Sequence, residues 1–183
     1  YTKGGSCPPL IDIMIMKKSI LLAMAMMLVM PLFAQKLSKE EKAAIAKAGY
    51  ELALEAVKSK AWVLVPSSYT QKDGMIANNI DNSEFISCEG EYMYAQGRIV
   101  CDNNYTNQLT PTSYEPKTDK KGNLRFTIVV SGRMMRGSYT ISMRVNTNTA
   151  DVIFAPNKGD AKRFSGTIVP LKQASYNKRS NPI

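Results

Sequence analysis

From Asn123 to Val145 the chain alternates with a period of two, and this stretch limits the available folds more than any other. Leu124, Phe126, Ile128 and Val130 interleave with Arg125, Thr127 and Ser131. After Gly132–Gly137, Tyr139, Ile141, Met143 and Val145 interleave with Ser138, Thr140, Ser142 and Arg144. Alternation of β-branched and aromatic residues with polar ones predicts two antiparallel strands, one face of each packed on a core. The rest of the chain has to supply what covers that face.

A helix is the first candidate. Ser38 and Glu41 have the spacing of a capping box, and alanine-rich sequence follows to Lys60. Ile45, Gly49, Leu52 and Ala56, joined by Ala48 and Ala53, predict a narrow apolar stripe that packs on the sheet, or alternatively on a second copy. Trp62–Val65 reads as a strand ended by Pro66, and Ser67–Asn82 as polar loop. Ser83–Cys88 and Glu91–Val100 read as a hairpin about Glu89-Gly90, and Asp102–Thr112 as an Asn-rich surface loop. Beyond the central hairpin, turns at Asn146–Thr149 and Asn157–Asp160 deliver strands near Asp151–Ala155 and Arg163–Leu171. The predicted fold is α+β: one N-terminal helix packed on an antiparallel meander of about seven strands. A closed, lipocalin-like β-barrel is the alternative.

The N-terminal segment of the sequence reads as an address. Lys17 and Lys18 precede an unbroken apolar run, Ile20–Val29, and Pro31-Leu32-Phe33-Ala34 offers a cleavage site before Gln35. Residues 16–34 are therefore predicted to be a signal peptide, since the run is shorter than the roughly 20 residues needed to span a bilayer. Residues 1–15 read as an upstream extension, 35–171 as the α+β domain, and 172–183 as a disordered basic tail. The protein is expected to be exported, periplasmic or secreted after cleavage near Ala34, and not an integral membrane protein. Cys88 and Cys101 would then meet an oxidising compartment. Hairpin geometry places them too far apart for a bridge, so buried free thiols are expected.

Three segments carry a family resemblance: SKAWVLVPS after the helix, NSEFISCEGEYMYAQ, and KTDKKGNLRFTIVVSG through RFSGTIVPL. The sequence resembles the small exported Bacteroides-type proteins of domain-of-unknown-function (DUF) family 4251. That resemblance implies a helix followed by antiparallel sheet and a cell-envelope address. It implies no activity, substrate or site. Many members resemble lipoproteins, and this sequence lacks their cysteine.

The chain contains no histidine, so Ser-His-Asp and Cys-His catalysis and imidazole metal ligation are absent. No zinc spacing, phosphate loop or dinucleotide fingerprint occurs, and neither a metal site nor a cofactor is expected. Carboxylate catalysis remains open through Glu84, Glu89, Glu91 and Asp102. A formal net charge of +9 favours an anionic partner. For an exported chain that means an envelope component or another protein, not nucleic acid. Arg133, Met134, Met135 and Arg136, held between two glycines, combine cationic and adaptable apolar side chains at a hairpin end. Tyr92 and Tyr94 share a strand face and offer an aromatic platform. These six residues are the candidate ligand-binding set of a non-catalytic binding or interaction module. A histidine-free hydrolase acting on polysaccharide is the alternative.

Overall fold

The computed structural model describes residues 38–183. The expected upstream extension, the signal peptide of residues 16–34 and its cleavage site near Ala34 lie outside them. Helix α1, Lys39–Lys58, begins at the predicted capping box. Ser38 Oγ accepts from the Glu41 amide at 3.1 Å, while Glu41 Oε2 accepts from the Ser38 amide at 2.8 Å. Its buried face is Tyr50, Ala53, Ala56 and Val57, whereas Ile45 and Leu52 are 60% and 44% exposed. Ala53 and Ala56 lie on the expected stripe, while the rest of the buried face turns from Ile45 and Leu52 towards Tyr50 and Val57. Hydrogen bonding accounts for this shift: the Tyr50 hydroxyl donates to the Gly122 carbonyl, and the Tyr114 hydroxyl donates to the Val57 carbonyl at 2.6 Å.

Ten strands follow: β1 (Ala61–Thr70), β2 (Ile76–Asn78), β3 (Phe85–Glu89), β4 (Tyr92–Gly97), β5 (Asn103–Tyr114), β6 (Lys117–Thr118), β7 (Leu124–Gly132), β8 (Arg136–Met143), β9 (Thr149–Pro156) and β10 (Lys162–Pro170). Every pairing is antiparallel. β10 returns to pair with β1 from Trp62↔Pro170 to Tyr69↔Phe164, which closes eight strands into a barrel. The short β2 and β6 lie off that ring, on β1 and β7. The open helix-covered sheet of about seven strands is therefore corrected to the barrel alternative, which leaves no long edge unpaired. Pro66 does not end β1 but sits at a register shift within it. The stretch expected as an Asn-rich loop falls almost wholly in β5, and the end of the strand expected over Glu91–Val100 is instead part of a one-turn helix, α2 (Arg98–Cys101).

The barrel interior is packed with side chains. Trp62, Leu64, Ile86, Met93, Leu109, Ile128, Tyr139, Ile141, Phe154 and Ile168 point inward and are almost wholly buried. Each end has its own cover. α1 lies across the end where β1 starts and β10 finishes, near Gly122 and Asn148. α2 seals the other end, where the Val100 carbonyl accepts from the Tyr139 hydroxyl at 3.0 Å. Cys88 and Cys101 are buried and free. Among the described residues no helix is long and apolar enough to cross a membrane.

Residues 172–183, expected as a disordered tail, are held against the barrel instead. After a single 3-10 turn at Leu171–Gln173, the chain runs along the outer face of β3, β4 and β5. The Ile183 amide donates to Thr106 O, and its carbonyl accepts from the Gln108 amide, both at 2.9 Å. Main-chain pairing and polar side chains on the wall together supply this docking, and hydrophobic periodicity reports neither.

Candidate ligand-binding cleft

The β7–β8 hairpin pairs in the register its alternation predicts, from Leu124↔Met143 to Ser131↔Arg136, and bends at Arg133-Met134. Its base is fixed by close packing on neighbouring strands. A Cβ on Gly132 would lie 2.6 Å from a Leu109 methyl, and one on Gly137 would lie 2.4 Å from the Ala155 carbonyl oxygen. Both distances are shorter than side chains tolerate, so glycine is required by space at each position. The Gly132 amide donates to Met135 O, and the Asn157 amide donates to Arg136 O, each at 2.9 Å. The second bond ties the hairpin to the β9–β10 turn.

Between these two turns and the end of α2 opens a cleft of about 590 Å³. Met135 folds onto the core and is 9% exposed, while Met134 is 56% exposed at the rim. Arg133, Arg136 and Lys158 are exposed around it, and among the described residues none of them makes an ion pair. Of the two acids lining the cleft, Asp102 is taken by Lys162 at 2.5 Å, leaving Asp160 as the counter-charge. The local balance is cationic beside an apolar thioether. Such a surface attracts carboxylate, sulfate or phosphate oxygens, which guanidinium groups hold through paired N–H donors.

The four hairpin residues of the candidate set are thus brought together, and the two tyrosines are not. Tyr92 and Tyr94 lie on the outer face of β4, beside the β3–β4 turn at the α1 end. Lys178 Nζ stands 3.1 Å from the Tyr94 ring centroid and covers its face. Lys158 and Asp160 carry only a turn signal in the sequence. Their place in the cleft follows from strand order, because alternate turns of an antiparallel ring share an end.

The candidate acids are engaged elsewhere. Glu84 accepts from the amides of Arg98 and Ile99 at 3.0 and 2.9 Å; burial raises its carboxyl, and these bonds oppose the rise. Glu89 accepts from Ser87, Tyr176 and Lys178, and Glu91 is exposed at a turn. Among the described residues no group of three or more acids and cysteines is placed to hold a metal ion.

A filled eight-stranded antiparallel barrel with one long covering helix, and a cationic cleft between its turns, defines the structural class. The fold is similar to that of a DUF4251 family protein from Bacteroides eggerthii known from its crystal structure, with a TM-score of 0.63 and 21% sequence identity over 72% of this chain and 94% of that one. The resemblance carried by the three sequence segments is matched at the level of fold. No family model matches the chain, and no curated protein does.

Proposed function

We propose that this protein is a non-catalytic binding module of the periplasm or cell exterior, and that the cleft between the β7–β8 hairpin and the β9–β10 turn holds its ligand. One observation carries the reading: two exposed arginines without acidic partners flank an exposed methionine on a sterically fixed hairpin. A packed interior directs attention to this outer cleft, since lipocalin-like binding needs a hollow barrel. The ligand is an anion-bearing envelope component, or an acidic surface of another protein, with an apolar portion for Met134. The hydrolase alternative has no support in the site, because Glu84, Glu89 and Asp102 each serve a helix end, the tail or a lysine.

Binding of the purified protein to isolated envelope fractions tests the reading. It should weaken as added salt shortens the Debye length from about 10 Å towards 3 Å. Binding that is indifferent to both salt and the pair Arg133→Ala/Arg136→Ala would remove the cleft from consideration.

A further inference from the structure

The outer wall of β3 and β4 is built like a recognition site, and it is already occupied. Phe85, Ser87 and Gln96 face away from the barrel interior yet are fully buried, because residues 174–183 lie over them. The Tyr176 ring meets Phe85 edge-on, with centroids 4.6 Å apart, and its hydroxyl donates to Glu89 at 3.2 Å. Two residues on, Lys178 donates to both Glu89 carboxylate oxygens at 3.0 Å and lies over Tyr94. Gln96 grips the backbone on either side of that lysine: Nε2 donates to Asn177 O at 2.8 Å, and Oε1 accepts from the Arg179 amide at 2.9 Å. Asn82 O accepts from the Asn177 amide at 3.0 Å.

Extended peptides are read in this way, through main-chain hydrogen bonds plus pockets for alternate side chains. The ring of eight strands closes without residues 174–183, so their departure opens no sheet edge between barrel strands. We infer that the β3–β4 outer wall is a peptide-binding groove for an extended segment bearing an aromatic residue and, two positions later, a lysine, with Tyr176–Arg179 as its ligand in cis. Charge fixes the partner's sign. Glu89 and the Tyr94 face together demand a cation, and Phe85 demands a ring beside it. The groove is separate from the Arg133–Arg136 cleft, with which it shares none of the residues that grip the tail on β3 and β4.

The test uses the full chain carrying Tyr176→Ala/Lys178→Ala, which frees the groove, and a labelled synthetic peptide of residues 174–183. The freed chain should take up one peptide per molecule, at least about tenfold tighter than the intact chain, whose tethered tail competes at high effective concentration. Adding Glu89→Gln and Gln96→Ala should abolish uptake, as should replacing the peptide's tyrosine and lysine by alanine. Lys178→Glu alone serves as a second opened chain should the double variant lose its native circular dichroism. Peptide uptake that is absent from folded opened chains, or equal in opened and intact chains, overturns the inference. So does rapid tryptic cleavage after Lys178 in the intact protein. Concentration-dependent dimers in place of peptide capture would also overturn it, in favour of tail exchange between copies.

Discussion

β7 and β3 are both strands of one closed barrel, and they present opposite burial patterns. Along β7, Leu124, Phe126, Ile128 and Val130 are buried while Arg125, Thr127 and Val129 are exposed. Along β3, four consecutive residues from Phe85 to Cys88 are buried. Both strands pack an inner face on the same core. Only β3 carries a second layer, the segment from Ala174 to Ile183, on its outer face. Strand alternation therefore measures what lies outside the sheet as much as what lies inside it, because covering both faces turns alternation into a continuous buried run.

The largest expected effect bears on that second layer. Phe85 points away from the barrel, yet Phe85→Ala should cost about 3–5 kcal/mol, the range of a core aromatic, because Tyr176 seals its outer side. Val129→Ala, at an outward position on the bare wall and 44% exposed, should stay within about 0.5 kcal/mol. Denaturant melts of the two variants check this. A Phe85→Ala loss under about 1 kcal/mol would mean that the tail does not function as a second layer.

Next comes the bare wall itself. Ile128→Ala should cost about 2–5 kcal/mol as transfer and cavity terms add. Its neighbour Thr127→Ala should cost less than about 1 kcal/mol, having only the Thr140 hydroxyl across the strand pair at 3.1 Å. Equal losses would contradict the one-sided burial of β7. A smaller loss, about 1–3 kcal/mol, is expected for Gln96→Ala, which strips partners from Asn177, Arg179 and Thr106. It should coincide with faster hydrogen exchange in residues 176–183, and slow exchange there would assign the tail's docking to other contacts.

Thiol chemistry compares the β3 wall with the α2 end of the barrel without an energy scale. Burial pushes the Cys88 thiol up to about 11 and the Cys101 thiol up to about 12. Both groups are protonated at pH 8 and shielded, and the thiolate is the reactive form. A disulfide reagent at that pH should modify neither until denaturant is added. Prompt labelling of Cys88 alone would show that the β3 wall opens while the rest stays closed.

What was legible in the sequence follows the same division. The helix start, the β7–β8 hairpin, β9 and β10 were readable because a capping box and one-sided alternation are local signals. β5 was hidden: its buried Thr106 and Asn107 are polar, satisfied by Gln96 and the Ala95 carbonyl, and only Leu109 marks the inner face. Helix α1 was placed, and Ala53 and Ala56 of its buried face with it, but Tyr50 and Val57 were not, since their hydrogen-bond partners Gly122 and Tyr114 are more than 50 residues away in sequence. Arg133–Arg136 stood out between its glycines. Lys158 and the docked tail did not, because what brings them into a site is β8–β9 pairing and the side chains of Gln96 and Glu89.

The smallest stability effect belongs to the hairpin tip, and it separates ligand binding from folding. Arg133 and Arg136 are exposed, and neither makes an ion pair among the described residues. Arg136 holds its neighbours through its carbonyl, which accepts from the Asn157 amide, and alanine keeps that carbonyl. Gly132 and Gly137, which set the hairpin against β5 and β9, stay in place. Arg133→Ala/Arg136→Ala should therefore shift stability by no more than about 0.5 kcal/mol, as exposed residues without structural partners do. The same change removes two guanidinium groups from a cleft whose remaining unpaired charges are Lys158 and Asp160, so the net positive field vanishes. Binding to envelope fractions should fall to background, and the salt dependence should disappear with it. A lost fold would show that the arginines hold the hairpin, and full binding by a folded double variant would move the ligand away from this cleft.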